Sequence, residues 1–359
     1  MKTIEKNYKK TLIYMATVYF LIMGTVGTVN FIMDSYWAFD HENRFNQMQS
    51  GSNERQQKTN YVYFHKFDYD AILLGSSRTT LIDQNDFEGI KTFNYAVSMM
   101  LPKEFNDYIE FAKKQNGRDF KYIILALDFF ATNKLKKAEN PKPIIDNTTS
   151  FLYRYKLLFS IDALKNSAAN IRRFITGKKY RRSYNRHNVA STDILDEKTA
   201  RRIIESRKHW EEKYKYDDHY IDTLKELQKN NPNSKFIVFT TPVSSFLFNL
   251  MLNEGHLKDY ERWLRELVMT FGKVTNFMTE NSVTTDYTKN YVDTNHFYPR
   301  IGKLIAHKVL GINDPKIPKD FGDVLTKENI DDYINSINNR YIEGLAHENL
   351  SIKKKSKNN

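Results

Sequence analysis

The chain of 359 residues contains no cysteine. That absence excludes a disulfide scaffold, a cysteine-ligated zinc or iron–sulfur site, and a thiol nucleophile. Zinc-finger, RNP and P-loop patterns are missing as well, and no internal repeat is visible. His209, Trp210 and His219 lie in a charged region of helical pattern without metal-ligand spacing, and read as surface or core residues. No metal or organic cofactor is expected. The net charge of +12 is concentrated in three stretches. Met1–Lys10 carries four Lys and one Glu, Arg172–Arg186 seven basic and no acidic residues, and Lys353–Lys357 four Lys. The remainder is slightly acidic, so the excess does not describe a nucleic-acid-binding face, and no nucleic-acid partner is expected.

One long apolar run is present. Thr11–Met33 spans 23 residues without a charge. At about 1.5 Å per residue a helix of that length covers about 34 Å, enough to cross a bilayer core. Lys2, Lys6, Lys9 and Lys10 precede the run, and Asp34, Asp40, Glu42 and Arg44 follow it. The positive-inside rule then makes 1–10 a cytoplasmic tail and 11–33 a single transmembrane helix of the cell membrane, with the main domain extracytoplasmic. A cleaved signal peptide is the alternative, but the run is too long and lacks an Ala-x-Ala site before Asp34.

Beyond the helix, residues 34–68 read as a polar juxtamembrane connector with one helix. Tyr69–Gly75, Thr92–Val97, Lys121–Phe130, Lys235–Thr241 and Lys273–Met278 are short apolar runs of buried-strand type, the last the weakest. Between them Pro102 opens a helix with Phe105, Tyr108, Ile109 and Ala112 on one face, and His256–Phe271 forms another around Tyr260, Trp263, Leu264 and Leu267. Pro299–Leu310 is the last core helix. Strands alternating with helices predict an α/β domain over 69–311 with a mainly parallel sheet, because parallel neighbours need crossover connections. A basic, mostly helical insertion interrupts it at about 131–230. Residues 312–359 read as a C-terminal extension with one helical pattern, Lys327–Tyr341, and a lysine-rich tail.

Gly75-Ser76-Ser77-Arg78 follows the first strand, and Asp293-Thr294-Asn295-His296 precedes the last core helix. A serine hydroxyl needs an adjacent imidazole to take its proton, and a carboxylate to hold that imidazole in the right tautomer. Ser77 at a strand-to-helix turn, with Asp293 and His296 on one loop, meets that need, and the Ser77 N–H would point where an oxyanion develops. The alternative is a turn serine, a surface histidine and a helix-capping aspartate. Ser244 and Ser245 follow a strand without a partner motif and read as a loop.

These two blocks resemble the SGNH (GDSL-like) hydrolase superfamily, in its membrane-anchored branch. The resemblance covers Tyr69 to Leu310 and implies a three-layer sandwich with Ser77 as nucleophile and Asp293 and His296 as the other triad members. In the superfamily a second-block glycine donates a backbone N–H to the oxyanion. Asn94–Ser98 has no glycine, which leaves Ala96 or Ser98 for that role. A third-block asparagine donates from its side chain, whereas Asp128 stands here; either it is protonated, or Asn133 substitutes, or that donor is absent. The N-terminal helix, Gly-Ser-Ser in place of Gly-Asp-Ser and the insertion are similar to proteins that work beside membrane-bound O-acyltransferases in polysaccharide O-acetylation and teichoic-acid D-alanylation. Such a resemblance implies a serine-dependent O-acyltransferase or esterase acting on a hydroxyl of a cell-surface polysaccharide or related polymer, with a membrane-bound O-acyltransferase as partner. The rival reading is a non-catalytic module of the same kind of complex.

Arg78 either contacts an anionic group beside the nucleophile or forms a surface salt bridge. Arg172, Arg173, Lys178, Lys179, Arg181 and Arg182 interleave with Phe and Tyr and either hold an anionic polymer or lipid headgroups, or form a solvated loop.

Overall fold

The computed structural model describes residues 2–177 and 182–342. Within them the chain divides into two compact units, the first made of Met1–Asp68, Glu110–Gly117 and Asn140–Asp193, the second of Tyr69–Ile109, Arg118–Glu139 and Ile194–Asn359. Nine strands lie among the described residues: β1 (Met48–Ser50), β2 (Ala71–Leu74), β3 (Thr92–Asn94), β4 (Tyr122–Leu127), β5 (Ser183–Asn185), β6 (Ala190–Ser191), β7 (Lys235–Thr240), β8 (Lys273–Asn276) and β9 (Asp323–Thr326).

The first unit begins with the helix Lys2–Met33, of which Asn7–Met33 is long and apolar enough to cross a membrane. It also holds the helices Glu54–Phe64, Lys142–Thr149, Tyr153–Leu158 and Ile161–Thr176, with a small antiparallel sheet in the order β1-β5-β6. Its core centres on Trp37, whose ring meets Tyr184 edge-on at 5.7 Å and whose indole N–H donates to Gln49 at 2.9 Å. Arg186 closes the chain after the long helix through a buried 2.5 Å ion pair with Asp34. The connector expected over 34–68 and the central part of the expected insertion are thus one folded body. The division follows contacts between segments about 130 residues apart, which no local pattern announces.

The second unit is mixed α/β, built on a six-stranded sheet in the order β3-β2-β4-β7-β8-β9. All neighbours are parallel except β8 and β9. Every residue of β2 is buried, as is Ile123–Leu127 of β4. Successive side chains of a strand point to opposite faces, so this uniform burial means that both faces of the sheet centre are covered. The helices Pro102–Asn116, Tyr220–Asn230 and Leu257–Phe271 lie in the connections leading to β4, β7 and β8. The first and third carry their expected apolar faces, with Phe105, Tyr108, Tyr260, Trp263 and Leu264 all fully buried or nearly so, and the second buries Tyr220, Ile221, Leu224 and Leu227.

Two boundaries move. The domain does not stop at 311: β9 adds antiparallel to β8, with Asn276 opposite Asp323 and Lys273 opposite Thr326, and a helix over 330–342 follows. The sequence DVLT has too few apolar residues to stand out as an edge strand. Residues 207–216 are an irregular loop rather than part of a helical region. The lysine-rich stretch 353–357 lies outside the described residues.

Candidate active site

The site is assembled at the carboxyl ends of β2, β4 and β7, where open parallel sheets commonly bind ligands. After β2 the chain turns at Gly75-Ser76-Ser77-Arg78 into a single 3-10 turn, Thr79–Leu81, rather than into an extended helix. Gly75 is required by packing, since a Cβ there would stand 2.2 Å from Thr79 Oγ1 and 2.8 Å from the Ala126 carbonyl oxygen. Ser76 is buried and Ser77 half-buried. Asn94 fastens the turn to β3 by donating its amide to the carbonyls of Thr79 and Ile82, both at 2.9 Å.

Asp293 and His296 come from a loop whose ends are tied together. Tyr291 and Phe297 form an antiparallel bridge, the Val292 N–H donates to the His296 carbonyl at 2.8 Å, and Pro299 starts the helix that follows. Ser244, after β7, donates from both its N–H and its hydroxyl to the Thr294 carbonyl at 3.1 Å while capping the helix Ser245–Asn253. Ser244 is therefore not a free loop residue but a support of the Asp-x-x-His loop. Gly302 lets the Pro299–Leu310 helix sit directly on the turn after Ser77, because a Cβ there would lie 2.8 Å from the Leu81 carbonyl oxygen.

These constraints bring the three side chains into line. His296 Nε2 stands 2.8 Å from Ser77 Oγ, and His296 Nδ1 stands 2.9 Å from each oxygen of Asp293. Asp293 Oδ1 also accepts from the backbone N–H groups of Asn295 and His296, at 2.8 and 2.9 Å. Burial pulls the Asp293 carboxyl upward, but the bonds and charge of His296 and these backbone donors outweigh it and hold the group down at about 2. An ionised Asp293 only accepts, so Nδ1 carries its proton toward Asp293 and Nε2 presents a lone pair to the serine hydroxyl.

Arg78 is not a surface cation, although it borders the cleft onto which Ser77 opens. It is buried, donating to Asp128 at 2.7 Å, to Asn295 at 2.6 Å and more weakly to Thr241 at 3.5 Å, with Phe130 under its guanidinium at 5.1 Å. One side chain thus connects the nucleophile turn, the end of β4, the end of β7 and the histidine loop. Asp128 also accepts from the Thr241 hydroxyl, on the same Oδ1 that meets Arg78. The Ala96 N–H donates to Asn94 Oδ1 at 3.0 Å, and Ala96 is fully buried. Asn133 donates to the Lys213 carbonyl at 2.8 Å and accepts from the Leu135 and Lys215 N–H groups.

Ser77 and His296 open onto a cleft of about 760 Å³ walled by Met99, Phe130, Asn133 and Lys136 together with residues of the loop 207–213. Met99, half-exposed with φ of 56°, is the residue of its segment that reaches this wall, whereas Ala96 and Ser98 do not line it. The loop is held by Trp210, buried and stacked on Phe129 at 5.1 Å, and by Glu254, which accepts from the Trp210 N–H. Across the cleft Lys136 pairs with Glu211 at 2.8 Å. His219 is exposed and pairs with Asp222.

Arg172, Arg173 and Arg182 belong to the first unit, where Arg182 pairs with buried Glu54 at 2.7 Å and Arg172 is exposed. Lys178, Lys179 and Arg181 lie outside the described residues. Among the described residues no group of three or more His, Asp or Glu side chains is placed to hold a metal ion.

No protein-family model matches the chain, and no curated protein matches it. Geometry and chemistry alone therefore carry the functional reading. Asn295 was available in the Asp-Thr-Asn-His block as a polar neighbour of the histidine. Thr241 and Ser244 carried no such signal, because only the sheet order brings them beside the site.

Proposed function

We propose that the chain is a membrane-anchored SGNH-type serine O-acyltransferase or esterase, facing the extracytoplasmic side and acting on a hydroxyl of a cell-surface polysaccharide or related polymer. The observation that carries this reading is the relay Asp293–His296–Ser77, with both links at 2.8–2.9 Å. The sheet covered on both faces and the site at its carboxyl edge support a three-layer SGNH arrangement. The basic residues before Thr11 support an anchor with its N-terminus inside.

In this reaction Nε2 takes the Ser77 proton as Oγ attacks the acyl carbonyl, and the imidazolium is stabilised by ionised Asp293. His296 then returns the proton to the leaving oxygen, giving an acyl-serine. A polymer hydroxyl, or water, next gives its proton to Nε2 and attacks the acyl-serine, and His296 passes that proton to the departing Ser77 Oγ, which regenerates the serine. The acyl donor is supplied by a membrane-bound O-acyltransferase partner, and the open cleft gives a polymer room to lie across the serine.

Engagement of the Ala96 N–H and commitment of Asp128 to Arg78 favour the second reading, a non-catalytic module with the triad retained. A fluorophosphonate probe applied to the full chain in detergent separates the two. The expected result is labelling of wild type that disappears in Ser77→Ala and in His296→Ala. A folded wild type that does not label would overturn the catalytic reading.

A further inference from the structure

The first unit carries a cluster of large apolar side chains that packing leaves uncovered. Phe151 is 85% exposed, Ile161 69%, Tyr155 52%, Phe159 49% and Leu152 48%, all within eleven residues around the short helix Tyr153–Leu158. Single exposed apolar residues are ordinary, but five in one short segment need a covering.

Their position is set by the long N-terminal helix. Asn30, buried near the end of the uncharged run, donates its amide to the carbonyls of Leu158 and Ser160 at 2.9 and 3.3 Å and accepts from the Ser167 hydroxyl at 3.0 Å. Three residues earlier, the space beside Gly27 is filled by Phe159, whose ring would lie 3.2 Å from a Cβ there. Gly27 is about 9 Å along the helix from Met33, inside the apolar stretch rather than beyond it. The same helix exposes Phe20, Leu21 and Ile22 below and Phe31 above. Whatever surrounds the helix at the depth of Gly27 therefore also meets Phe159, and Ile161 follows Ser160, which Asn30 holds.

We infer that residues 151–161 lie in the bilayer, in the headgroup and upper acyl region of the leaflet at the C-terminal end of the anchor helix, as an apolar wedge clamped to that helix by Asn30. The inference rests on the reading of Asn7–Met33 as a membrane-spanning helix. It accounts for a buried asparagine in an otherwise apolar run: backbone carbonyls at the end of a short helix need donors where water is scarce, and Asn30 supplies them. Lys156, exposed on the same helix, has a stem long enough to rest on acyl chains while its ammonium reaches phosphates.

The absence of cysteine makes the test direct. Ile22→Cys, Phe151→Cys and Ile161→Cys, each in the full chain, are labelled with bimane and reconstituted in phosphatidylcholine/phosphatidylglycerol vesicles containing lipids with a nitroxide at a shallow or a deep acyl position. All three replaced side chains are exposed, and a thermal transition matching wild type checks that each variant is folded. The expected result is strongest quenching of Ile22→Cys by the deep nitroxide, and loss of Phe151→Cys and Ile161→Cys emission to the shallow one, with protection from aqueous iodide. If Ile22→Cys is quenched but the other two are not, and iodide reaches them, the helix spans and the wedge is wrong; the face then meets water or waits for a protein partner. If Ile22→Cys is itself unquenched, the anchor fails and the wedge with it.

Discussion

Replacing Arg78 with methionine tests whether the site is held as one unit. The guanidinium and its partner Asp128 have side chains only 5% and 3% exposed. Removing the cation strands a buried carboxylate, which costs about 3–5 kcal/mol when a buried pair is broken from one side. For a folded body of this size that corresponds to a fall of about 6–20 °C in Tm. The double variant Arg78→Met/Asp128→Leu removes both charges and should recover more than half of the loss, because an apolar pair of similar volume commonly replaces a buried ion pair at little net cost. Its remaining deficit comes from the Thr241 hydroxyl and Asn295, which lose their partners. Serine labelling behaves differently. Arg78 also holds Asn295, next to His296, so both variants should label Ser77 more slowly even where stability returns. Full chain in detergent, followed by circular dichroism and fluorophosphonate labelling, reads both quantities. A loss of less than about 1 kcal/mol in Arg78→Met would refute the buried-pair argument. Full labelling in the double variant would refute a positioning role for the guanidinium.

Other expectations concern the same geometry. Asp293→Asn keeps the shape of the loop but allows the imidazole its other tautomer, so labelling of Ser77 should fall by about 10³–10⁴ with little change in fold. Because the Asp293 carboxyl is held down at about 2, its contribution to stability is complete above about pH 4 and is lost as pH falls through 2. Acid titration of wild type against Asp293→Asn should therefore show a gap of about 2 kcal/mol at neutral pH that closes over that interval, and a gap independent of pH would count against the assignment. Gly302→Ala pushes a methyl group against the Leu81 backbone and should cost about 1–3 kcal/mol while slowing labelling, as measured by unfolding and probe kinetics. Gly75→Ala meets both Thr79 and the Ala126 backbone and should abolish labelling in whatever fraction still folds.

Much of the second unit was legible locally. Buried parallel strands are continuous apolar runs, and amphipathic helices repeat every three to four residues, so β2, β4, β7 and the helices after Pro102, His256 and Pro299 appear in the pattern itself. Ser77, Asp293 and His296 were legible for a chemical reason, since serine activation needs those three residue types and the short blocks around them suit turns. The edge strand β9 was not, because an edge is half-wet and its four residues include an aspartate and a threonine. The same limit hid the first unit, whose core joins Trp37 to Tyr184 and Asp34 to Arg186 across the first strands of the sheet and about half of the insertion.

By itself, then, the amino-acid order determined the long apolar helix, the alternation that makes an α/β sheet, and the two blocks able to form a serine relay, because each depends on residues within about one element of one another. Tertiary structure alone decided what surrounds the relay. Arg78, which the sequence left as either an anion contact or a surface salt bridge, became a buried clamp, since strand order places the ends of β2, β4 and β7 side by side. Asp128 became the clamp's counter-charge for the same reason. A side chain's type is written in the sequence, but its partners are set by segments that meet only after the chain has folded.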